Sequence, residues 1–268
     1  MGEGIQFAEI KKALKHNRKL SRKDEGGYEK DENDWKLHGV YDTSIIDFSD
    51  SLSISLPENF EKERDIEGYL KNPEIFQIYI EQTLSKEQKH DLTAIEFGGP
   101  GSELFRGFSK DFFKKTVGVC LKDIRDPNEK NNDIKNNHSV VEGDILDIQD
   151  DKLLNEVTEK LDTEKTDLII SRMIGPLKEI DKHPAILDRI IRNWYNMLNE
   201  NGLMFIQFQG YVPLNKDKLE RDLMEKWSTI IKEKFPKINI QIDGGVMRLH
   251  KKVGAPEELP RASELFRE

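Results

Sequence analysis

Leu92-Thr93-Ala94-Ile95-Glu96-Phe97-Gly98-Gly99-Pro100-Gly101-Ser102 is the stretch on which the fold turns. Its first six residues are a short, mostly apolar run broken by one acid, the length of a buried strand. Glycines and a proline end it at once, since they let the backbone turn sharply and let other groups approach it without a Cβ in the way. Ser102 is placed to cap a helix in which Leu104, Phe105, Phe108 and Phe112 recur at helical spacing. Strand, glycine-rich turn and helix in that order open a βαβ unit.

Toward the C-terminus the alternation continues. Residues 116–121 read as a second strand, and Asp126-Pro127 as the N-cap and first turn of a short polar helix. Residues 138–141 form a third strand closed by Gly143-Asp144, followed by a helix carrying Leu153, Leu154, Val157 and Leu161. A fourth strand covers 167–171. A helix over 184–199 aligns Ile186, Ile190, Ile191 and Trp194, and Asn201-Gly202 stops it before a fifth strand, 203–208. A long helix over 215–233 carries Leu219, Leu223, Trp227, Ile230 and Ile231. Strands 238–242 and 246–250 then flank Asp243-Gly244-Gly245, a tight turn. Alternating strands and helices call for a parallel sheet with helices on both faces, and a tight turn joins only antiparallel strands. The expected fold is therefore α/β, mostly parallel, with one reversed strand near the edge.

Toward the N-terminus the pattern weakens. Segments 60–71 and 73–89 read as helices, the second with Ile75, Ile78, Tyr79 and Leu84 as its apolar positions; β-like stretches lie at 39–41 and 52–56. Residues 24–34 are acidic and glycine-containing, a linker. The expected organisation is a charged arm and linker over 1–35, a helical and extended cap or lid over 36–90, the sheet domain over 91–254 and a tail over 255–268.

Of the 268 residues, 42 are Lys or Arg and 51 Asp or Glu, a net charge of −9. Residues 1–23 hold seven basic and two acidic side chains, a local +5 that leaves −14 on the rest. A body so acidic repels phosphate backbones, which argues against broad nucleic-acid binding except through that arm. The single cysteine, Cys120, forbids an intrachain disulfide and a cysteine-cluster metal site, and no metal is expected. No apolar stretch reaches the roughly 18 residues that cross a bilayer, and the first residues lack the apolar core of a secretion signal. A cytoplasmic setting is expected.

In a sheet of this kind, ligands bind beyond the carboxyl ends of the strands. The residues there, in order, resemble those of the class I S-adenosylmethionine-dependent methyltransferases over about 92–252. Glu96, Phe97, Gly98, Gly99, Pro100 and Gly101 resemble the family's first motif, an acid and glycine-rich loop that holds the methionine end of the cofactor. Val117-Gly118-Val119-Cys120 resembles the second strand, whose end, here Cys120, Leu121 and Asp123, approaches the ribose. Gly143, Asp144 and Ile145 resemble the segment beside the adenine, and Ser171 and Arg172 the end of the fourth strand. The resemblance implies a Rossmann-like methyltransferase fold, a seven-stranded sheet with a reversed seventh strand, and S-adenosylmethionine as cofactor. Two departures stand out. Pro100 and Ser102 occupy the second and third glycine positions of the motif, and Cys120 stands where the family has a ribose-binding acid. Either Asp123 reaches the ribose by a different loop path or ribose binding is weaker. A dinucleotide-binding domain is the structural rival, but Gly98-Gly99-Pro100-Gly101-Ser102-Glu103 does not fit Gly-x-Gly-x-x-Gly, and that fold does not predict the hairpin.

Methyl transfer from a sulfonium needs mainly alignment of nucleophile, carbon and leaving group, with a base only where the acceptor must lose a proton. His183, Tyr211 and Arg172 are the candidates for such roles; a histidine at a helix start, a packed tyrosine and a surface arginine are their plainer readings. The segment 171–177 lacks the Asn/Asp-Pro-Pro-aromatic tetrapeptide of amino-methylating nucleic-acid and glutamine enzymes. The implied activity is methyl transfer to an oxygen or nitrogen of a small molecule. The alternatives are a methyltransferase-like binding scaffold and a protein or RNA methyltransferase guided by residues 1–23.

Overall fold

The computed structural model describes residues 74–85, 91–123, 125–145, 151–171, 187–207, 222–243, 246–261 and 264. In chain order these form helix α1 (Glu74–Ser85), strand β1 (Thr93–Phe97), α2 (Ser102–Arg106), β2 (Lys115–Cys120), α3 (Pro127–Lys135), β3 (His138–Glu142), α4 (Asp151–Leu161) and β4 (Thr166–Ser171). A π-helical turn (Leu187–Ile191) leads into α5 (Arg192–Asn196), followed by β5 (Leu198–Gln207), α6 (Asp222–Lys234), β6 (Ile238–Asp243) and β7 (Val246–Lys251). The strands make one seven-stranded sheet in the order β3-β2-β1-β4-β5-β7-β6. β7 runs antiparallel to both of its neighbours, and the pairs among β1 to β5 are parallel. This is the Rossmann-like methyltransferase fold, with its one reversed strand next to the edge. The order reverses between β1 and β4, which makes their carboxyl ends the natural ligand crevice.

Strand parity divides the core between two faces. Ile95, Phe97, Val117, Val119 and Ile169 share one apolar cluster with Leu153 and Val157 of α4 and Trp227 and Ile231 of α6, and Phe97 stacks on Trp194 with ring centroids 4.4 Å apart. Ala94, Leu168, Ile170, Leu203 and Phe205 meet α1 and α2 on the other face. Each large apolar side chain so buried contributes about 1.5–3 kcal/mol. Phe105 and Phe108 are buried, with the partly buried Phe112 and Phe113 packed against them.

Several local features differ from expectation. α1 turns Phe76, Tyr79, Ile80 and Leu84 inward, while Ile78 is 39% exposed; its phase follows the two residues facing Phe205. α2 lasts five residues because Gly107 ends it. Its N-cap is Gly101, in the left-handed region at φ 78°, and Ser102 is already helical with its hydroxyl turned elsewhere. β5 begins at Leu198, before Asn201-Gly202: the register passes from Thr166–Leu198 to Leu168–Leu203, and the extra residues bulge out around Asn201 at φ 62°. A short polar side chain tolerates that conformation, which explains how Asn-Gly sits inside a strand. Asp126 forms the expected cap, accepting from Asn128 and Glu129 amides while Glu129 reaches back to the Asp126 amide.

The described parts of the flanking segments pack on the sheet. α1 covers one face, and Ala255 and Leu259 enter the core of the other. Tyr195 donates its hydroxyl to the Pro256 carbonyl at 2.6 Å, and Arg192 Nε donates to the Leu259 carbonyl at 2.7 Å. Lys251 is fully buried on β7; its ammonium donates to the Leu198 and Glu257 carbonyls and lies 4.5 Å from the Tyr195 ring centroid. The segments 1–35 and 36–73, and Gly244-Gly245, where a tight turn is expected, lie outside the described residues.

Candidate functional site

Four strand ends meet at one edge, fastened by hydrogen bonds that run across them. Ser171 Oγ donates to the Phe97 carbonyl at 2.9 Å, the Gly98 amide donates to the Val119 carbonyl at 2.8 Å, and the Gly143 amide donates to the Cys120 carbonyl at 2.8 Å. The turn 98–101, residues 120–123, residues 143–145 and Ser171 are thereby neighbours, as the sequence order implied. Arg172, His183 and Tyr211 lie outside the described residues.

The turn after β1 is built by close approach. Gly98 and Gly101 take φ 110° and 78°, a region that favours glycine. Glu96 is fully buried, and its Oε2 lies 3.3 Å from the point a Gly101 Cβ would occupy, so the acid sits against the turn. Gly118, the register partner of Glu96, carries the turn's backbone directly: a Cβ there would stand 1.7 Å from the Pro100 carbonyl oxygen. That oxygen also accepts from His138 Nε2 at 2.8 Å, while His138 Nδ1 lies 2.7 Å from Thr116 Oγ1. Burial pushes the His138 imidazole down to about 4, against the favourable charge of Asp133. The ring is therefore neutral near pH 7, with Nε2–H donating to the carbonyl and Nδ1 accepting from the threonine hydroxyl. Pro100, a departure from the glycine motif, is held through its carbonyl.

The loop after β2 is built by charge. Cys120 is 1% exposed, and its thiol donates to the Lys122 carbonyl at 3.2 Å. Burial first, then the charges of Asp123, Glu142 and Glu96, push the thiol up to about 12. It stays protonated and offers no anion to a diol. Asp123 is turned to Arg125, which donates Nε to Oδ1 at 2.9 Å and Nη2 to Oδ2 at 3.0 Å, and Lys130 adds an ion pair at 3.2 Å. Burial favours the neutral acid, but the Arg125 hydrogen bonds and charge prevail and hold the Asp123 carboxyl below its ordinary value. Glu142, the register partner of Cys120, accepts from the Asp123 amide at 2.9 Å and pairs with Lys122 at 3.1 Å. At the third strand end, Ile145 is buried and Asp144 half-buried, and a Cβ on Gly143 would meet Leu153 Cδ1 at 2.4 Å.

His138, Asp133 and Arg125, which shape these loops, are not singled out by the sequence. No local pattern points to them: α3 buries its aspartate, Asp133, and leaves its isoleucine, Ile134, 71% exposed, the reverse of what side-chain polarity predicts.

No family model and no curated protein matches the chain. Solved structures to which it is similar include the ribosomal protein L11 methylase from Lactobacillus delbrueckii subsp. bulgaricus, 17% identical, with 68% of this chain and 79% of that one covered at a TM-score of 0.34. The 16S rRNA methylase ArmA is 11% identical, with 65% and 79% covered and a TM-score of 0.37. The N-methyltransferase NodS from Bradyrhizobium japonicum WM9 is 14% identical, with 66% and 94% covered and a TM-score of 0.35. At such identities the likeness is one of fold alone, and the fold itself rests on the strand order and register above. No helix among the described residues is long and apolar enough to cross a membrane, and no cluster of three or more potential metal ligands occurs among them.

Proposed function

We propose that the chain is an S-adenosylmethionine-dependent methyltransferase acting on an oxygen or nitrogen of a small molecule. One observation carries the reading: a fully buried acid, Glu96, lies against a left-handed glycine turn at the switch point of a sheet whose seventh strand is reversed. The residues fit the cofactor at two of its three parts. Glu96 and the turn 98–101 suit the methionine end, where a backbone freed of Cβ atoms admits a ligand and a carboxylate suits an ammonium. Asp144 and Ile145, one polar and one apolar, suit an adenine. At the ribose the fit is poorer, because Cys120 is a thiol and Asp123 is taken up by Arg125 and Lys130. Bound S-adenosylmethionine would supply an activated methyl on a sulfonium; the chain's part is to orient it and exclude water. Ser171 and Arg172 are proposed for the same pocket, and His183 and Tyr211 for the acceptor side. Titration of the purified protein by calorimetry should give saturable binding of S-adenosylmethionine, weakened in Glu96→Gln; no binding at millimolar cofactor overturns the reading.

The buried Cys120 thiol favours a second reading, a methyltransferase-like scaffold with little turnover. Incubation with methyl-labelled cofactor and a cell extract separates the two. Label transferred to a small molecule supports the first, label on protein or RNA that needs residues 1–23 moves the acceptor to those classes, and binding without transfer supports the scaffold.

A further inference from the structure

Asp133 is the buried residue of α3, 1% exposed, and donors from two separate loops converge on it. From the segment after β1, Ser102 donates its hydroxyl to Oδ2 at 2.5 Å and Arg106 donates Nη1 to Oδ1 at 3.2 Å. From the loop after β2, Arg125 donates Nη1 to Oδ2 at 2.8 Å, while its Nε and Nη2 bind Asp123. The result is a continuous chain, Ser102 to Asp133 to Arg125 to Asp123, from the residue that follows Gly101 to the loop beside Cys120. It runs from a buried centre, Asp133, to a partly buried end, where the Arg125 and Asp123 side chains are 9% and 15% exposed. Buried ion pairs of this kind add little net stability over apolar packing; where a use for them is attested, it is in selecting one arrangement of the parts they join. An inward aspartate on an otherwise polar helix is accordingly poor core and good bracket.

We propose that Asp133 is a positioning residue that fixes the turn after β1 against the loop after β2, so that the two walls of the cofactor site hold or yield together. The inference rests on the cofactor reading above, and goes beyond it by assigning the geometry of the site to a residue that does not line its edge. Two measurements on the full chain at a temperature well below its melting point test it: calorimetric titration with S-adenosylmethionine, and amide hydrogen exchange of peptides covering Ser102 and Arg125. In Asp133→Asn, exchange should rise in both peptides and the cofactor dissociation constant should rise about tenfold or more. Where Asp133→Asn does not fold, Arg125→Gln serves, since it leaves Ser102 and Arg106 on Asp133 while removing the link between loops together with the Arg125–Asp123 pair; the deciding readout is then the far side, where exchange must rise around Ser102. Exchange that rises on one side only, or cofactor affinity unchanged in a variant whose melting point has fallen, overturns the role of Asp133. Wild-type protein that binds no cofactor overturns the cofactor reading itself and removes any cofactor role from Asp133, whatever the exchange pattern.

Discussion

Behind the turn at 98–101 stands a neutral imidazole and a strand residue with no side chain; behind the loop at 120–123 stands a run of ion pairs. The first wall is set by volume and by hydrogen bonds between uncharged groups, through Gly118 and His138. The second is set by charge, through Arg125, Lys130 and Glu142. A wall of the first kind is indifferent to salt and intolerant of an added methyl. One of the second kind tolerates changes of shape and answers to charge and salt. The contrast shows how one edge of a sheet can present a rigid cradle and a tunable one side by side.

The largest effect expected concerns the second wall. A thiol pushed up to about 12, against an ordinary 9.0, has roughly a thousandfold less thiolate at pH 8. Alkylation of Cys120 by iodoacetamide, followed by mass spectrometry, should be slower by about that factor in the folded protein than in urea. Comparable rates would mean that the thiol is not enclosed. Next comes the first wall, where Gly118→Ala forces a methyl against the Pro100 backbone. A loss of roughly 3 kcal/mol in urea melts is expected, the upper end for overpacking, with cofactor affinity falling about a hundredfold. A near-silent Gly118→Ala would break the contrast.

Acid should separate the walls. His138 sits at about 4 in the fold against an ordinary 6.5, so the unfolded chain takes up a proton that the folded one refuses. Its contribution is complete above pH 6.5 and is lost as the pH falls toward 4, by up to about tenfold in the folding constant per pH unit. His250, shifted likewise to about 4, adds a parallel slope. Asp123, held below its ordinary 3.8, surrenders its contribution only at lower pH. Stability followed from pH 7 to 4 should therefore fall before the ionic wall titrates, and His138→Gln should remove one proton from the slope; an unchanged slope would show that the ring is not held neutral. The smallest effect distinguishes contact from filling: Glu96→Gln should weaken cofactor binding about tenfold, as loss of a charged hydrogen bond does, and Cys120→Ala by less than about threefold. Equal losses would give both walls the same role.

Much of the architecture was legible because it is written locally. The apolar run before Gly98, the Asp126-Pro127 start of α3 and the two strands flanking residues 244–245 each carry their own signal within a few residues. The site was legible only as a list of strand ends. What holds those ends depends on pairs such as Ser102 with Asp133 and His138 with Pro100, separated by 31 and 38 positions. No periodicity encodes a contact of that range. Ser102 shows the limit plainly: its type and place suit a cap, and only the approach of α3 reveals why its hydroxyl turns away from the helix. α1 shows another, since the choice between Ile78 and Ile80 as an inward residue was made by the position of Phe205.

The reversed strand also bears on how the chain is made. β5 lies between β4, synthesised before it, and β7, which leaves the ribosome only after α6 and β6. Until Val246–Lys251 has emerged, one edge of β5 is open, its apolar residues Met204 to Ile206 are within reach of other chains, and the Leu198 carbonyl awaits the Lys251 ammonium. An exposed apolar strand edge is a template for association. The nascent protein therefore has a defined window of vulnerability, which opens with β5 and closes when β7 inserts.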